Sequence, residues 1–80
     1  MEDLKGFGAR LSQRMKERGL SQEAMTIKTG ISSRMIRRYQ KGENTPTAYS
    51  LGVLAKALGV TVDWLIGEKE EEHDGSGVQS

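Results

Sequence analysis

"GISSRMIRRYQKG", residues 30–42, places three arginines and one lysine in a stretch that begins and ends on glycine and holds no acidic residue. On a helix advancing about 100° per residue, residues 32–41 sort by chemistry. Arg34, Arg37, Arg38 and Lys41 fall within an arc about 100° wide, and Met35, Ile36 and Tyr39 occupy a similar arc on the opposite side. The spacing therefore predicts a helix with an apolar inner face and a cationic outer face. Like charges three and four residues apart destabilise an isolated helix by about 0.2–0.5 kcal/mol per pair. A face that served solubility alone would mix signs, as Arg14, Lys16, Glu17 and Arg18 do. Either the cationic face is simply solvated, or something outside the domain neutralises it.

The flanking sequence favours the second reading. Upstream, "LSQEAMTIKTG" has Ser21 as a helix N-cap, Gln22 and Glu23 in the first turn, and Gly30 as the C-terminal break. Only a few residues separate that helix from the next, which Ser32 caps and Gly42 ends. Further upstream, Leu4, Phe7, Leu11 and then Arg14 or Met15 form one stripe at helical spacing, closed by Gly19 with Arg18 in the last turn. Downstream, "ENTPT" carries the only proline, Thr47 caps "AYSLGVLAKAL", Gly59 stops it, and Thr61 caps the short apolar turn "VDWLI" before Gly67. No useful length alternates with a period of two. The fold class expected is all-α, five short helices. A short helix, a tight turn and a cationic helix suit duplex DNA, whose major groove admits an α-helix and whose guanines offer O6 and N7 to arginine.

Composition bounds the rest. At 80 residues the chain is one small domain at most, with a core that buries about 60% of the unfolded surface. It has no cysteine, so neither disulfides nor thiolate metal sites are available. No apolar run approaches the roughly 18 residues of a membrane span, and "MEDLKGFGAR" lacks the apolar core of a signal peptide. A cytoplasmic location is the expectation. Residues 1–67 carry eleven Lys/Arg against six Asp/Glu, a balance of +5, whereas residues 68–80 carry one Lys against five acids, or −4. This division predicts a basic domain at 1–67 and a flexible acidic tail at 68–80. The only histidine, His73, lies in that tail, and no phosphate-binding loop, dinucleotide fingerprint or nucleophile motif is present. An enzyme is not expected, nor a metal, a cofactor or a small-molecule substrate.

The pieces "GLSQE", "GIS", "IRRYQKGENTPT", "LAKALGV" and "VDWLIG", in this order and without insertion, resemble the lambda-repressor/Cro-type helix-turn-helix (XRE) family from about Phe7 to Gly67. The resemblance implies a five-helix domain whose third helix enters the major groove while the second crosses the backbone. It implies that Gln22 touches phosphate and braces a reading residue, and that Ser32, Ser33 and Arg34 open the reading helix against base edges. Ser32 has a sufficient task as N-cap and is the weakest of these as a base contact. Arg34 and Arg38 are the preferred base readers, Arg37 and Lys41 the phosphate holders, and Asn44 and Thr45 further donors to phosphate or simply turn residues. Several positions depart from the family pattern. Ala24 stands where a Glu would close the capping box, leaving a one-sided cap, and Thr26, Ile27 and Thr29 predict a weakened or slightly rotated second helix. Met15 and Gln40 jointly replace a frequent Arg–Glu pair. Arg14 takes a place usually apolar, with the expectation that it runs its stem over the core and reaches a phosphate.

The function implied is a sequence-specific double-stranded DNA-binding transcriptional regulator, a repressor that binds a short palindrome as a homodimer, at least on DNA. The candidate dimer surface is the C-terminal end, with Val62, Trp64 and Ile66 beside Val60 and Leu65, although Trp64 and Leu65 equally suit closing the core. A reading of another class is an antitoxin-type protein-interaction module that also represses its own promoter, motivated by that apolar end and the acidic tail.

Overall fold

The computed structural model of the chain describes residues 6–67. Five helices follow in order: α1 (Phe7–Glu17), α2 (Gln22–Thr29), α3 (Ser33–Gln40), α4 (Ala48–Leu58) and α5 (Val62–Leu65). No strand occurs among the described residues. Leu4 and the acidic segment 68–80 with His73 lie outside them. No described helix is long and apolar enough to cross a membrane.

Local chemistry sets the boundaries. Ser21, Ser32, Thr47 and Thr61 each accept a hydrogen bond at 3.0–3.1 Å from the backbone N–H three residues on. Replacing such a cap by alanine costs about 1 kcal/mol. The Ser21 cap is one-sided, since Ala24 has no side chain to reach back. Gly30 closes α2 at φ 81, a left-handed conformation that costs glycine nothing, and its N–H donates to the Thr26 carbonyl at 2.7 Å. Thr29 completes the corner: its hydroxyl donates to the Met25 carbonyl at 2.7 Å and accepts from the Ile31 N–H at 3.0 Å. Three residues, Gly30 to Ser32, therefore turn the chain from α2 into α3.

Every helix contributes to one core. Phe7, Leu11 and Met15 come from α1, Met25 from α2, Ile36 and Tyr39 from α3, Leu54, Ala55 and Leu58 from α4, and Leu65 from α5. Helix α2 spends a single fully buried side chain on this core, Met25. It also carries a buried Thr26 hydroxyl with no hydrogen-bond partner. An eight-residue helix is marginal by itself, so its position depends on its packing against α3 and α4.

At the α1–α3 contact a glycine lets backbone approach closely. A Cβ placed on Gly8 would lie 2.7 Å from the Gln40 carbonyl oxygen and 2.8 Å from that of Tyr39. Next to it, the Phe7 and Tyr39 rings meet edge to face with centroids 5.8 Å apart.

Arg14 corrects an expectation. Its Nε donates to the Leu58 carbonyl at 3.0 Å and its Nη1 to Glu17 at 3.2 Å, so the side chain is committed to the end of α4 and to its own helix rather than projecting toward a phosphate. Arg18 donates to the same Leu58 carbonyl at 3.1 Å. Two guanidinium groups thus use both lone pairs of one orphan carbonyl at a helix C-terminus, where positive charge is favoured. Hydrogen bonds from Gln13 and then Arg14 hold the exposed Glu17 carboxyl below its usual pKa.

Two outcomes follow for stability, both read by denaturant unfolding. Gly8→Ala destabilises by about 1–3 kcal/mol, although alanine is the better helix former by about 1 kcal/mol, because the added methyl meets backbone that cannot rotate away. Arg14→Ala and Arg18→Ala each cost less than about 0.5 kcal/mol, and the double variant costs about 1–2 kcal/mol, more than their sum, because only then is the Leu58 carbonyl unpartnered.

Candidate nucleic-acid interface

Helix α3 has the two faces that its sequence pattern requires. Ile36 is fully buried, Tyr39 is buried, and Met35 is half-buried against the core. Arg34, Arg37, Arg38 and Lys41 are all exposed. Together with Glu43 they line one shallow concavity of about 150 Å³. The only acid in that group, Glu43, is a member that reasoning from residues 30–42 missed. The missing signal was its position directly after the Gly42 turn, which folds it back beside Arg38: its N–H donates to the Arg38 carbonyl at 2.9 Å.

The remaining site residues sort by what already occupies them. Ser32 Oγ is spent on the Met35 N–H, as a cap requires. Ser33 is half-buried in the first turn of α3. Asn44 Oδ1 accepts from Arg38 Nη1 at 3.4 Å, across the end of the helix. Gln22 sits at the start of α2, and its Nε2 donates to Gln40 Oε1 at 2.9 Å, at the far end of α3, rather than to one of the expected reading residues.

That bond also accounts for the paired departure at Met15 and Gln40. Met15 is buried as an ordinary core side chain, and Gln40 turns its amide to Gln22. No buried ion pair is needed at this junction, and none of its desolvation cost is incurred. The α2–α3 angle is instead held by one neutral, part-buried hydrogen bond together with the Gly30 turn.

At the other end of the domain, Val62 and Trp64 pack against the core. Val62 and the half-buried Ile66 lie one turn apart, while Trp64 turns away beneath Arg10, whose guanidinium carbon is 5.2 Å from the ring centroid. The three residues of the candidate dimer surface thus do not share one side of α5.

A larger concavity of about 610 Å³ lies elsewhere, between the ends of α1 and α2 and the length of α4, and shares no residue with the first. Its cations, Arg18, Lys28 and Lys56, stand at or just beyond the last turn of a helix, where positive charge suits the helix dipole. Among the described residues no group of three or more His, Asp or Glu side chains is placed to hold a metal ion.

Comparison with known proteins agrees with this geometry. A helix-turn-helix family model matches residues 11–65. The chain is 35% identical over 71 residues to the uncharacterized transcriptional regulator in the ATPase CF(0) region of Rhodospirillum rubrum, across 85% of this chain and 66% of that protein. It is 31% identical over 71 residues to the uncharacterized HTH-type transcriptional regulator y4dJ of Sinorhizobium fredii (strain NBRC 101917 / NGR234), across 89% of this chain and 92% of that one. Among solved structures, the P22 c2 repressor in complex with synthetic operator 9T matches with a TM-score of 0.74 and 29% identity, covering 78% of this chain and 94% of that chain. The restriction-modification controller protein C.AhdI from Aeromonas hydrophila matches with a TM-score of 0.73 and 27% identity over the same shares. With the five helices in register and the two-faced α3 in place, the chain belongs to the lambda-repressor/Cro-type helix-turn-helix family of transcriptional regulators.

Proposed function

We propose that this protein binds double-stranded DNA sequence-specifically and acts as a repressor, occupying a short palindromic operator as a homodimer. The observation that carries the reading is the outer face of α3: four exposed cations on a helix whose opposite side is locked into the core. Among the described residues none of the four forms an ion pair, so their charge remains available to a polyanion. The likeness to a repressor in complex with operator DNA supports the same orientation of α3.

In this reading Arg34 and Arg38 address base edges, Arg37 and Lys41 hold phosphates, and the first turn of α3, with Ser32 and Ser33, lies at the groove. Gln22, braced by Gln40, presents its remaining amide hydrogen to the backbone. One reading helix engages one half-site, so two copies related by a two-fold axis occupy half-sites about one helical turn apart. Val62 and Ile66 form the pairing edge. The binding domain is residues 1–67, with residues 68–80 as a separable acidic tail. Occlusion of a promoter is then a sufficient mechanism of repression.

Selection from randomised duplexes, with the stoichiometry of the complex measured alongside, tests this directly. An enriched palindrome bound by two chains is expected. The affinity should fall with salt at a slope of about −0.9 per phosphate neutralised. Lys41→Ala should weaken all duplexes about equally and reduce that slope by about one, whereas Arg38→Ala should relax the preference at one base position by about 1–3 kcal/mol. A selection that returns no motif would contradict sequence-specific binding.

A further inference from the structure

Of the four cations on the outer face of α3, Arg38 alone donates a side-chain hydrogen bond to another residue among those described, and the acceptor is Asn44 Oδ1. Asn44 is itself well placed to act as a fixed point. It is half-buried, and the loop that carries it is pinned on both sides. On one side the Glu43 N–H donates to the Arg38 carbonyl at 2.9 Å and the Gly42 N–H to the Tyr39 carbonyl at 3.1 Å. On the other side Pro46 is buried.

We infer that Asn44 is a positioning residue for Arg38: its amide oxygen orders the guanidinium before DNA arrives and so sharpens the base preference that Arg38 reads. This rests on the assignment of Arg38 as a base reader in the proposed function. Donation from Nη1 leaves the Nε–Nη2 edge whole, and that edge supplies the two parallel donors a guanine O6/N7 pair accepts. A long side chain loses rotamer freedom on docking, and ordering it beforehand removes part of that cost.

The choice of acceptor matters as much as its place. Glu43 lines the same concavity and would tether a guanidinium more strongly, yet it forms no ion pair with Arg38. A carboxylate partner would cancel the charge that draws Arg38 to DNA, whereas a neutral amide orients it and leaves the charge intact. At 3.4 Å the tether is loose, which sets the modest size of the effect expected.

The test is a base-by-base preference profile of the intact chain on its selected duplex, measured for the unaltered protein and for Arg38→Ala, Asn44→Ala and Asn44→Asp. Arg38→Ala should erase the preference at one position. Asn44→Ala should lower the preference at that same position about two- to tenfold and leave the other positions unchanged. Combined with Arg38→Ala, it should have no further effect there. Asn44→Asp keeps the acceptor but adds a negative charge, so it should retain the preference while weakening every duplex. A merely structural asparagine would move all positions together. If Asn44→Ala weakens all duplexes equally with the profile intact, Asn44 is a phosphate donor only; the inference fails and the proposed function stands. If Arg38→Ala leaves the profile unchanged, the inference and the assignment of Arg38 as a base reader both fall.

Discussion

The close approach of α1 to the end of α3 governs the rest of this structure. Gly8 lets two backbone carbonyls, those of Tyr39 and Gln40, come nearer to α1 than any side chain would allow. The Phe7–Tyr39 edge contact and the full burial of Ile36 then set how α3 is rotated about its own axis. A rotation of one residue, about 100°, would carry a guanidinium into the core and a methionine into solvent. Because tight interiors tolerate so little displacement, the direction of the four cations is decided on the buried side of α3.

The handling of positive charge differs between the two ends of the domain. Arg14 and Arg18 are consumed by one carbonyl at the end of α4, and Arg10 lies over the Trp64 ring. These arginines stabilise the fold. On α3 the cations stand together and form no ion pair among the described residues, and their mutual repulsion is a cost that a bound polyanion would relieve. The acceptors of the polar ties near that face are neutral amides: Gln40 for Gln22, and Asn44 for Arg38. They orient without neutralising. Such a local sacrifice of stability is what a binding surface built for a polyanion requires.

Much of the fold was legible because it is written in local chemistry. The Ser21, Ser32, Thr47 and Thr61 caps, the Gly30 and Gly59 breaks and the opposed faces of residues 32–41 all act within one or two turns, where spacing alone is informative. What spacing could not show are contacts between side chains far apart in the chain. Arg14 was expected at a phosphate, but its partner is Leu58, 44 residues away. Gln22 was expected to touch phosphate and brace a reading residue; its amide reaches Gln40, 18 residues on. The task of Gly8 could not be read from spacing either, because it is visible only when the carbonyls of α3 are seen above it. Both arginine and glutamine have long, flexible side chains, so their sequence neighbours constrain them little.

The central claim is that α3 turns its guanidinium groups to DNA while the arginines of α1 remain bound within the protein. Arginine side-chain Nε–Hε resonances, followed by NMR as duplex is added to the intact chain, separate the two sets. Shifts at Arg34, Arg37 and Arg38 with those of Arg10, Arg14 and Arg18 unmoved are the predicted result. Undisturbed α3 resonances beside a response on α1 would contradict it.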